Sequence, residues 1–179
     1  MKQIAKIAQL GESVLRNKAR SIADPQDPQI TRLIDTLTDT AIAHNGVGIA
    51  APQISNSCRL FVVASRPNDR YPHAPQMQPT AMINPRILSR SPEIVKDWEG
   101  CLSVPNVRGL VPRSRLIEVE YTTREGEIEQ QTLTDFVARI FQHELDHLDG
   151  ILFIDRIEDK ADLYTEAEYQ QIINGQLTS

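Results

Sequence analysis

Apolar side chains recur at intervals of three and four residues in two long stretches of the chain. The first, residues 28–43, presents one apolar face and follows Asp27, a typical helix N-cap, so it predicts an amphipathic helix. The second begins at Thr134, another N-cap residue, and stops at Gly150, which predicts a helix between them. Each helix is therefore expected to bury one face against the rest of the domain.

Between these two helices lie segments that are rich in apolar and β-branched residues and are bounded by turn residues. The predicted strands are residues 59–65, 81–88, 93–98 and the two arms of an antiparallel hairpin, LIEVEYT and EIEQQTL. A polar, proline-rich loop, residues 66–79, follows the first of them. Because the strands are grouped between helices and do not alternate with them, the pattern predicts an α+β fold and argues against a doubly wound sheet.

Composition narrows the class of protein. The 179 residues carry 19 Lys and Arg against 24 Asp and Glu, a net charge of −5 without a basic stripe, which argues against direct nucleic-acid binding. Two cysteines, Cys58 and Cys101, are too few for a secreted disulfide framework. The N-terminus lacks the apolar core of a signal peptide, and no apolar run approaches the ~20 residues of a membrane span. We therefore expect a cytoplasmic protein that does not bind membranes.

The most informative short pattern is QHELDHLDG, residues 142–150. His143 and His147 continue the apolar row that includes Ile140, so both imidazoles are expected to face the core. An unsatisfied buried polar group costs ~1–3 kcal/mol, so each ring needs a hydrogen-bond partner or a metal ion. The spacing His-Glu-x-x-His lets both rings reach one ion and sets Glu144 beside its open coordination position. We therefore predict a metal site on this helix.

The residues alone leave more than one candidate for the third ligand. One class of metalloproteases extends the pattern to HExxHxxGxxH, but this chain has Phe153 where the final histidine would stand. A downstream glutamate, Glu158 or Glu166, could complete a set of the thermolysin type. Cys101 is the better candidate, because a strand followed by a proline-punctuated loop can hold a thiolate rigidly toward the helix. Its spacing is equally compatible with a small buried apolar residue.

The stretch GVGIAAPQ, residues 46–53, matches GxGxxA and superficially resembles a dinucleotide-binding loop. Such a loop follows a strand and opens a helix, whereas here a predicted helix precedes the glycines and Pro52 follows them. We interpret the stretch as a glycine-rich backbone that lets another chain approach closely, with Gln53 as an amide donor. The simpler alternative is a helix stop and a turn.

In this order, GVGIAAPQ, EGCLS and QHELDH resemble the three motifs of the peptide deformylases, and the resemblance covers about residues 10–155. It implies that Cys101, His143 and His147 bind one divalent metal ion. It also implies that Glu144 is the general acid and base of a hydrolytic reaction.

The resemblance implies further site residues around that centre, each carried over from its motif position. The side-chain amide of Gln53 and the backbone N–H of Leu102 would stabilise the oxyanion. Those implied to bind substrate are Val47, Gly48 and Gly100, whose backbones pair with an extended peptide, and Arg108, which lies near its carbonyl groups.

Pattern and resemblance together imply one catalytic domain over residues 1–179, with a core at about residues 10–155 and a variable tail at residues 156–179. The expected fold is α+β, with antiparallel or mixed strands packed around a central metal-binding helix. An N-terminal helix pair and a peripheral C-terminal element complete the expectation.

The activity that the resemblance implies is removal of the N-formyl group from the initiator methionine of nascent polypeptides, which releases formate. A metal-bound water would attack the formyl carbon while Glu144 moves the proton. The family implies Fe²⁺, which Zn²⁺, Ni²⁺ or Co²⁺ can replace, whereas the ligand set alone favours zinc. The implied partners are N-formylmethionyl nascent peptides and the ribosome near its exit tunnel, and we expect a monomer.

Two alternatives remain at this stage. One is a zinc endopeptidase that shares only the HExxH helix, and the other is a non-catalytic binding module stabilised by a closed metal site. Two features depart from the family pattern: Arg139 stands where some relatives have an aliphatic residue, and the tail is acidic where other bacterial members have a basic C-terminal helix.

Overall fold

The computed structural model describes residues 3–175 and contains three α-helices and eight strands within that range. The helices are α1 (Pro28–Ala43), α2 (Asp135–Leu148) and α3 (Glu166–Ile173). The strands are β1 (Gly48–Ala50), β2 (Leu60–Val63), β3 (Thr80–Arg90), β4 (Ile94–Cys101), β5 (Val104–Ser114), β6 (Leu116–Thr122), β7 (Ile128–Thr134) and β8 (Leu163–Thr165).

The strands form two antiparallel sheets, which confirms the predicted α+β class. One has five strands in the order β1-β2-β3-β6-β7, and the other has three in the order β4-β5-β8. β6 and β7 form the predicted hairpin, paired from Leu116 opposite Thr134 to Thr122 opposite Ile128. In these strand orders, β1 and β4 each lie at the edge of a sheet.

The five-stranded sheet is covered by a helix on each face, and β2 shows this most clearly. Phe61 and Val63 pack into the cluster that contains α2, and the rings of Phe61 and Phe141 meet edge to face at 5.1 Å. Leu60 and Val62 point the other way, into the cluster that contains α1. A strand buried on both faces needs apolar side chains at every position, which explains the uninterrupted run LFVV.

Both predicted helices are confirmed, with caps of different kinds. The carboxylate of Asp27 accepts a hydrogen bond from the backbone N–H of Gln29 at 2.7 Å and so caps α1. Thr134 precedes α2 as expected, but its side chain makes no capping bond. Gly150 follows α2 with φ +75°, and a Cβ there would lie 2.5 Å from the carbonyl oxygen of Arg16.

The sequence analysis missed β5, which it took for a proline-punctuated loop. Both prolines are tolerated because β8 pairs with β5 only at residues 107–109. Pro105 and Pro112 therefore lie where β5 has no neighbour on the β8 side and is an edge strand, the setting in which proline is tolerated in a sheet.

The two ends of the chain are more irregular than the core. Only one member of the expected N-terminal helix pair is an α-helix; the other is a single 3-10 turn, Ser13–Arg16. This turn does not continue as a helix, because the backbone N–H of Ala19 donates to the carbonyl of Leu148 on another part of the chain. The peripheral C-terminal element is β8 with α3, and α3 has no buried residue. The part of the expected tail at residues 176–179 lies outside the described residues.

Between residues 3 and 175, no helix has both the length and the apolar character that crossing a bilayer would require.

Candidate metal centre

Three side chains of metal-ligating type meet between α2 and the end of β4. The candidate ligand atoms of Cys101, His143 and His147 all lie within 4.8 Å of one another. Sγ of Cys101 is 3.3 Å from Nε2 of His147. Cys101 and His147 are 5% and 1% exposed, and His143 is partly exposed. The structure thus brings together the three residues that the sequence analysis named.

Local geometry explains how these three residues meet. His143 and His147 are four residues apart on α2, so they share one face of the helix. Cys101 pairs with Val104 across the tight connection between β4 and β5, and the register shifts between Gly100 and Cys101. An irregularity of this kind re-aims a side chain, and here the sulfur points at α2.

The charges around the centre favour the thiolate form of Cys101. Burial would raise the pKa of the Cys101 thiol, but His147 and His143 outweigh it and hold that pKa well below its usual range. The thiolate is the form that binds metal ions. Nδ1 of His143 lies 2.8 Å from Oε2 of Glu99. Because a carboxylate accepts hydrogen bonds, Nδ1–H is the donor, and Nε2 of the ring is available to an ion.

Glu99 belongs to a buried ion-pair network that the sequence analysis missed. We use this name for Glu99, Arg113, Arg139 and Asp146; Arg156, which is exposed, reaches Asp146 from the surface. Arg113 donates to Glu99 through Nε at 2.9 Å and Nη2 at 3.0 Å, and through Nη1 to Asp146 at 2.6 Å. Arg156 donates to Asp146 at 2.7 Å.

The pKa of Glu99 reflects its place in that network. Burial would raise it, but Arg113 and the hydrogen bond from His143 outweigh that effect and keep it well below the usual range. Glu99 precedes Cys101 by two residues on β4, and both side chains reach α2, where Glu99 meets His143 and Cys101 meets His147. That period-two spacing is the signal from which Glu99 could have been found.

Arg139, which departs from the family pattern, is a member of the network and also lines the cleft above the centre. Its Nη1 donates to Oε1 of Glu99 at 2.9 Å and to the carbonyl of Val111 at 2.8 Å, while Nη2 donates to the carbonyl of Val95 at 2.7 Å. The guanidinium is therefore charge-compensated and hydrogen-bonded despite its burial.

Glu144 stands beside the three candidate ligands with one oxygen unengaged. Its side chain is 4% exposed, and Oε2 has no hydrogen-bond partner among the described residues. Burial raises the pKa of this carboxyl to about 7, although His143 and His147 oppose the shift. A Cβ at Gly48 would lie 2.6 Å from Oε1 of Glu144, so the glycine makes room for the carboxylate. The site thus holds a carboxyl suited to accept and release a proton near neutral pH.

Gln53 is held in one orientation beside the sulfur. Its Oε1 accepts a hydrogen bond from the backbone N–H of Ala50 at 2.9 Å, which fixes the amide so that Nε2 points into the site. Nε2 lies 3.4 Å from Sγ of Cys101 and donates to Oγ of Ser103 at 3.1 Å. The amide is thus a donor directed at the centre.

A cleft of about 460 Å³, which includes space open to solvent, leads to the centre. Its apolar wall contains Phe136, Ile140 and Trp98. Predicted site residues that line it are Val47, Gly48, Gln53, Gly100, Leu102 and Glu144, together with Cys101 and His143.

Two predicted site residues do not line this cleft: His147, which belongs to the ligand group, and Arg108, which lies apart from it. The Arg108 side chain is 2% exposed and lies behind Gly100, where a Cβ on the glycine would meet Nη1 of Arg108 at 2.8 Å. Nε of Arg108 donates to Oε2 of Glu166 at 2.7 Å. Glu166, one of the alternative third ligands, is therefore engaged elsewhere.

Comparison with known proteins agrees with this geometry. The model of the polypeptide deformylase family matches residues 4–162. A peptide deformylase 2 of Nostoc sp. is 61% identical over 171 residues, which cover 96% of each chain. A peptide deformylase 2 of Shewanella oneidensis is 44% identical over 84% of this chain and 82% of the relative.

Solved structures give the same answer. A class I type b peptide deformylase from Acinetobacter baumannii, described as bound to Met-Ala-Ser, superposes with a TM-score of 0.85 at 45% identity and covers 88% of this chain and 100% of the other. A peptide deformylase from Thermotoga maritima has a TM-score of 0.78 at 37% identity, over 88% of this chain and 99% of the other. The chain therefore belongs to the polypeptide deformylase family of metal-dependent hydrolases, which remove the formyl group from nascent peptides.

Proposed function

We propose that this chain removes the N-formyl group from the initiator methionine through the residues of the centre described above, with Cys101, His143 and His147 as metal ligands and Glu144 as proton carrier. The observation that carries the proposal is the unengaged oxygen of Glu144, buried beside three converging ligand groups at the end of an open cleft. The comparisons support deformylation and give no support to the endopeptidase or the binding module.

The donor set fits a divalent metal ion. One sulfur with a lowered pKa and two imidazoles within 4.8 Å of one another make a compact three-ligand group of the type that binds Zn²⁺ or Fe²⁺. When bound, the ion would supply Lewis acidity, which polarises a carbonyl and makes water more acidic. We propose Fe²⁺ as the native ion, by family resemblance, and Zn²⁺, Ni²⁺ or Co²⁺ as replacements.

Glu144 carries the proton in this proposal. Its Oε2 accepts a proton from the water that attacks the formyl carbon, and the carboxyl then delivers that proton to the departing amine. The C–N bond breaks, and formate and a free amino terminus are the products. A pKa of about 7 lets one carboxyl perform both transfers at neutral pH.

Gln53 and Leu102 stabilise the charge that develops on the formyl oxygen. The Gln53 amide is already oriented by its bond from Ala50, so it needs no rearrangement during the reaction. The backbone N–H of Leu102, next to Cys101, is the second donor. Each donor of this kind contributes about 3 kcal/mol to the stability of the transition state.

The peptide binds as an extra strand between two sheet edges. β1 is an edge of the five-stranded sheet and β4 is an edge of the three-stranded sheet. Val47 and Gly48 lie on one side of the cleft and Gly100 on the other, and their backbones supply strand-like hydrogen bonds to the substrate. Phe136, Ile140 and Trp98 surround the methionine side chain. The relative described as bound to Met-Ala-Ser supports a methionyl peptide as the ligand.

The finer expectations about context belong to the same proposal. We propose a monomer of one catalytic domain, residues 1–179, that works in the cytoplasm, and the two free thiols, Cys58 and Cys101, suit a reducing compartment. We also propose that it acts near the ribosomal exit tunnel. Docking through the acidic tail would bring like charges together on an RNA surface, so another face is expected to make that contact.

The test compares formyl-Met-Ala-Ser with acetyl-Met-Ala-Ser on anaerobically purified protein whose bound metal is measured in the same sample. The expected result is formate from the first peptide, no cleavage of the second, and about one metal ion per chain. Internal fragments without formate would contradict the proposal and favour an endopeptidase.

A further inference from the structure

The C-terminal element packs against the wall of the cleft with residues from outside the region that the family model matches. That match ends at residue 162, whereas β8 and α3 follow it. β8 pairs with β5 so that Tyr164 lies opposite Arg108. This pairing brings α3 against the residues behind the cleft wall.

Arg108 is enclosed by this element. Its guanidinium carbon lies 4.9 Å from the ring centroid of Tyr169 and 5.4 Å from that of Tyr71. Its Nε donates a hydrogen bond to Oε2 of Glu166 at 2.7 Å, and its Nη1 donates one to the hydroxyl of Tyr71 at 3.3 Å. The positive charge of Arg108 is therefore matched by one carboxylate, and that carboxylate comes from α3.

The same element supports the wall of the cleft. The Trp98 ring, which lines the cleft, meets Tyr164 and Tyr169 edge to face, each at 4.9 Å between ring centroids. The hydroxyl of Tyr71 lies 3.5 Å from the carbonyl oxygen of Gly100. Aromatic rings thus contact Arg108 and Trp98, and a tyrosine hydroxyl lies near the backbone of Gly100. Two of these rings, Tyr164 and Tyr169, belong to β8 and α3.

A second groove adjoins the main cleft on the side of α3. It shares Arg70, Cys101 and Leu102 with the main cleft and is bounded by Glu166 at its other side. The Glu166 side chain is 37% exposed and lines this groove, so its negative charge contributes to the electrostatic potential there. A peptide that leaves the centre along the groove would place the residues after its methionine between Arg70 and Glu166.

We propose that segment Leu163–Ile173 is part of the peptide-binding rim and that Glu166 is a positioning residue, which holds Arg108 and cancels its charge where the residues after formyl-methionine bind. The inference rests on the proposed function. The enzyme then accepts acidic, neutral and basic residues at the second and third positions with similar efficiency. Without Glu166, the uncompensated charges of Arg108 and Arg70 would favour acidic peptides.

The experiment compares Glu166→Gln with Glu168→Gln on formyl-Met-X-Ser peptides in which X is Glu, Gln or Lys. Both variants remove one carboxylate from α3, but Glu168 contacts Thr165 and not Arg108. Glu168 is the N3 residue of the capping box that begins α3, and glutamine can also occupy N3, so Glu168→Gln is expected to preserve the N-terminal cap of the helix. The expected result is a rise of about fivefold in the Glu-to-Lys ratio of kcat/KM for Glu166→Gln, carried by KM, and no change for Glu168→Gln.

Trp98 is the single tryptophan of the chain, so its fluorescence reports whether α3 stays docked against it. If Glu166→Gln alters that spectrum, Glu166→Asp, which keeps the charge, is expected to return the ratio toward the wild-type value. An unchanged ratio in Glu166→Gln, or equal shifts in the Gln and Asp variants or in Glu168→Gln, would overturn the role of Glu166 alone. Wild-type protein that releases no formate from any peptide would overturn the proposed function and this inference with it.

Discussion

The floor and the rim of the cleft differ in how deeply their residues are buried and in how their charges are paired. The floor is the buried ion-pair network beneath His143, where each charged group faces an opposite charge and is anchored on a helix or a sheet strand. The rim, as we propose it, is formed by the loop at residues 66–79, which lines the main cleft through Arg70 and Tyr71, and by α3, which lines the adjoining groove through Glu166 and has no buried residue. The groups that we propose to react are thus held by buried ion pairs, whereas the elements that we propose to contact the residues after formyl-methionine are anchored less deeply.

The two regions should also differ in the cost of a lost charge. Removing one partner of a buried ion pair leaves the other charge uncompensated and costs about 3–5 kcal/mol. An exposed pair typically contributes about 1 kcal/mol or less, because solvent screens it. Substitutions in the floor should therefore change folding and metal binding, and those in the rim should change substrate preference.

The largest expected effect is that of Cys101→Ala. Loss of the sulfur removes one of three ligands, so bound metal should fall far below one ion per chain and formate release should fall to background. Elemental analysis of protein purified in parallel with wild type checks this. Undiminished metal content would remove Cys101 from the ligand set, and Cys58→Ala, the other free thiol, is the matched control.

Glu144→Gln should have the next largest effect. The amide cannot carry the proton, so kcat should fall by about 10²–10⁴, while metal content stays at the wild-type value because Glu144 is not a proposed ligand. Steady-state formate release and metal analysis on one sample separate these outcomes. Loss of the ion in this variant would show that Glu144 had been assigned the wrong role.

Arg113→Gln tests the floor without touching the reacting groups. It withdraws the donor shared by Glu99 and Asp146, so the free energy of unfolding in urea should fall by about 3–5 kcal/mol. Because Glu99 orients His143, metal affinity should also fall about 10- to 100-fold. Arg115→Gln, which breaks exposed pairs to Glu93 and Asp135, is the control and should change neither quantity measurably. Equal effects of the two variants would remove the distinction between floor and surface.

At the rim, the fivefold change in peptide preference expected of Glu166→Gln is the smallest of these effects. It should leave metal content unchanged and lower urea stability by less than Arg113→Gln does, because the Glu166 side chain is 37% exposed and solvent reaches the pair.

The metal centre above the floor was visible in the sequence because its signals are local. The spacing of His143 and His147 and the apolar row beside them predicted both the helix and its buried face. β5 escaped because Pro105 and Pro112 suggest a loop unless the short reach of β8 is known. Arg139 was visible as a departure from the family, but its partners on β4 and β5 were not.

The rim could not have been predicted, because its contacts join distant parts of the chain. Arg108 and Glu166 are 58 residues apart, and no spacing rule connects a strand residue with the start of a later short helix. Packing of α3 against β5 and Trp98 creates that pair, so it exists only at the level of tertiary structure.

The central claim is that one sulfur and two imidazoles hold a single ion and leave a position for solvent. X-ray absorption at the metal edge of zinc-loaded protein tests this most directly. The account predicts one sulfur at about 2.3 Å, two imidazole nitrogens at about 2.0–2.1 Å and one further light-atom ligand. A spectrum without sulfur, or with four protein ligands, would contradict it.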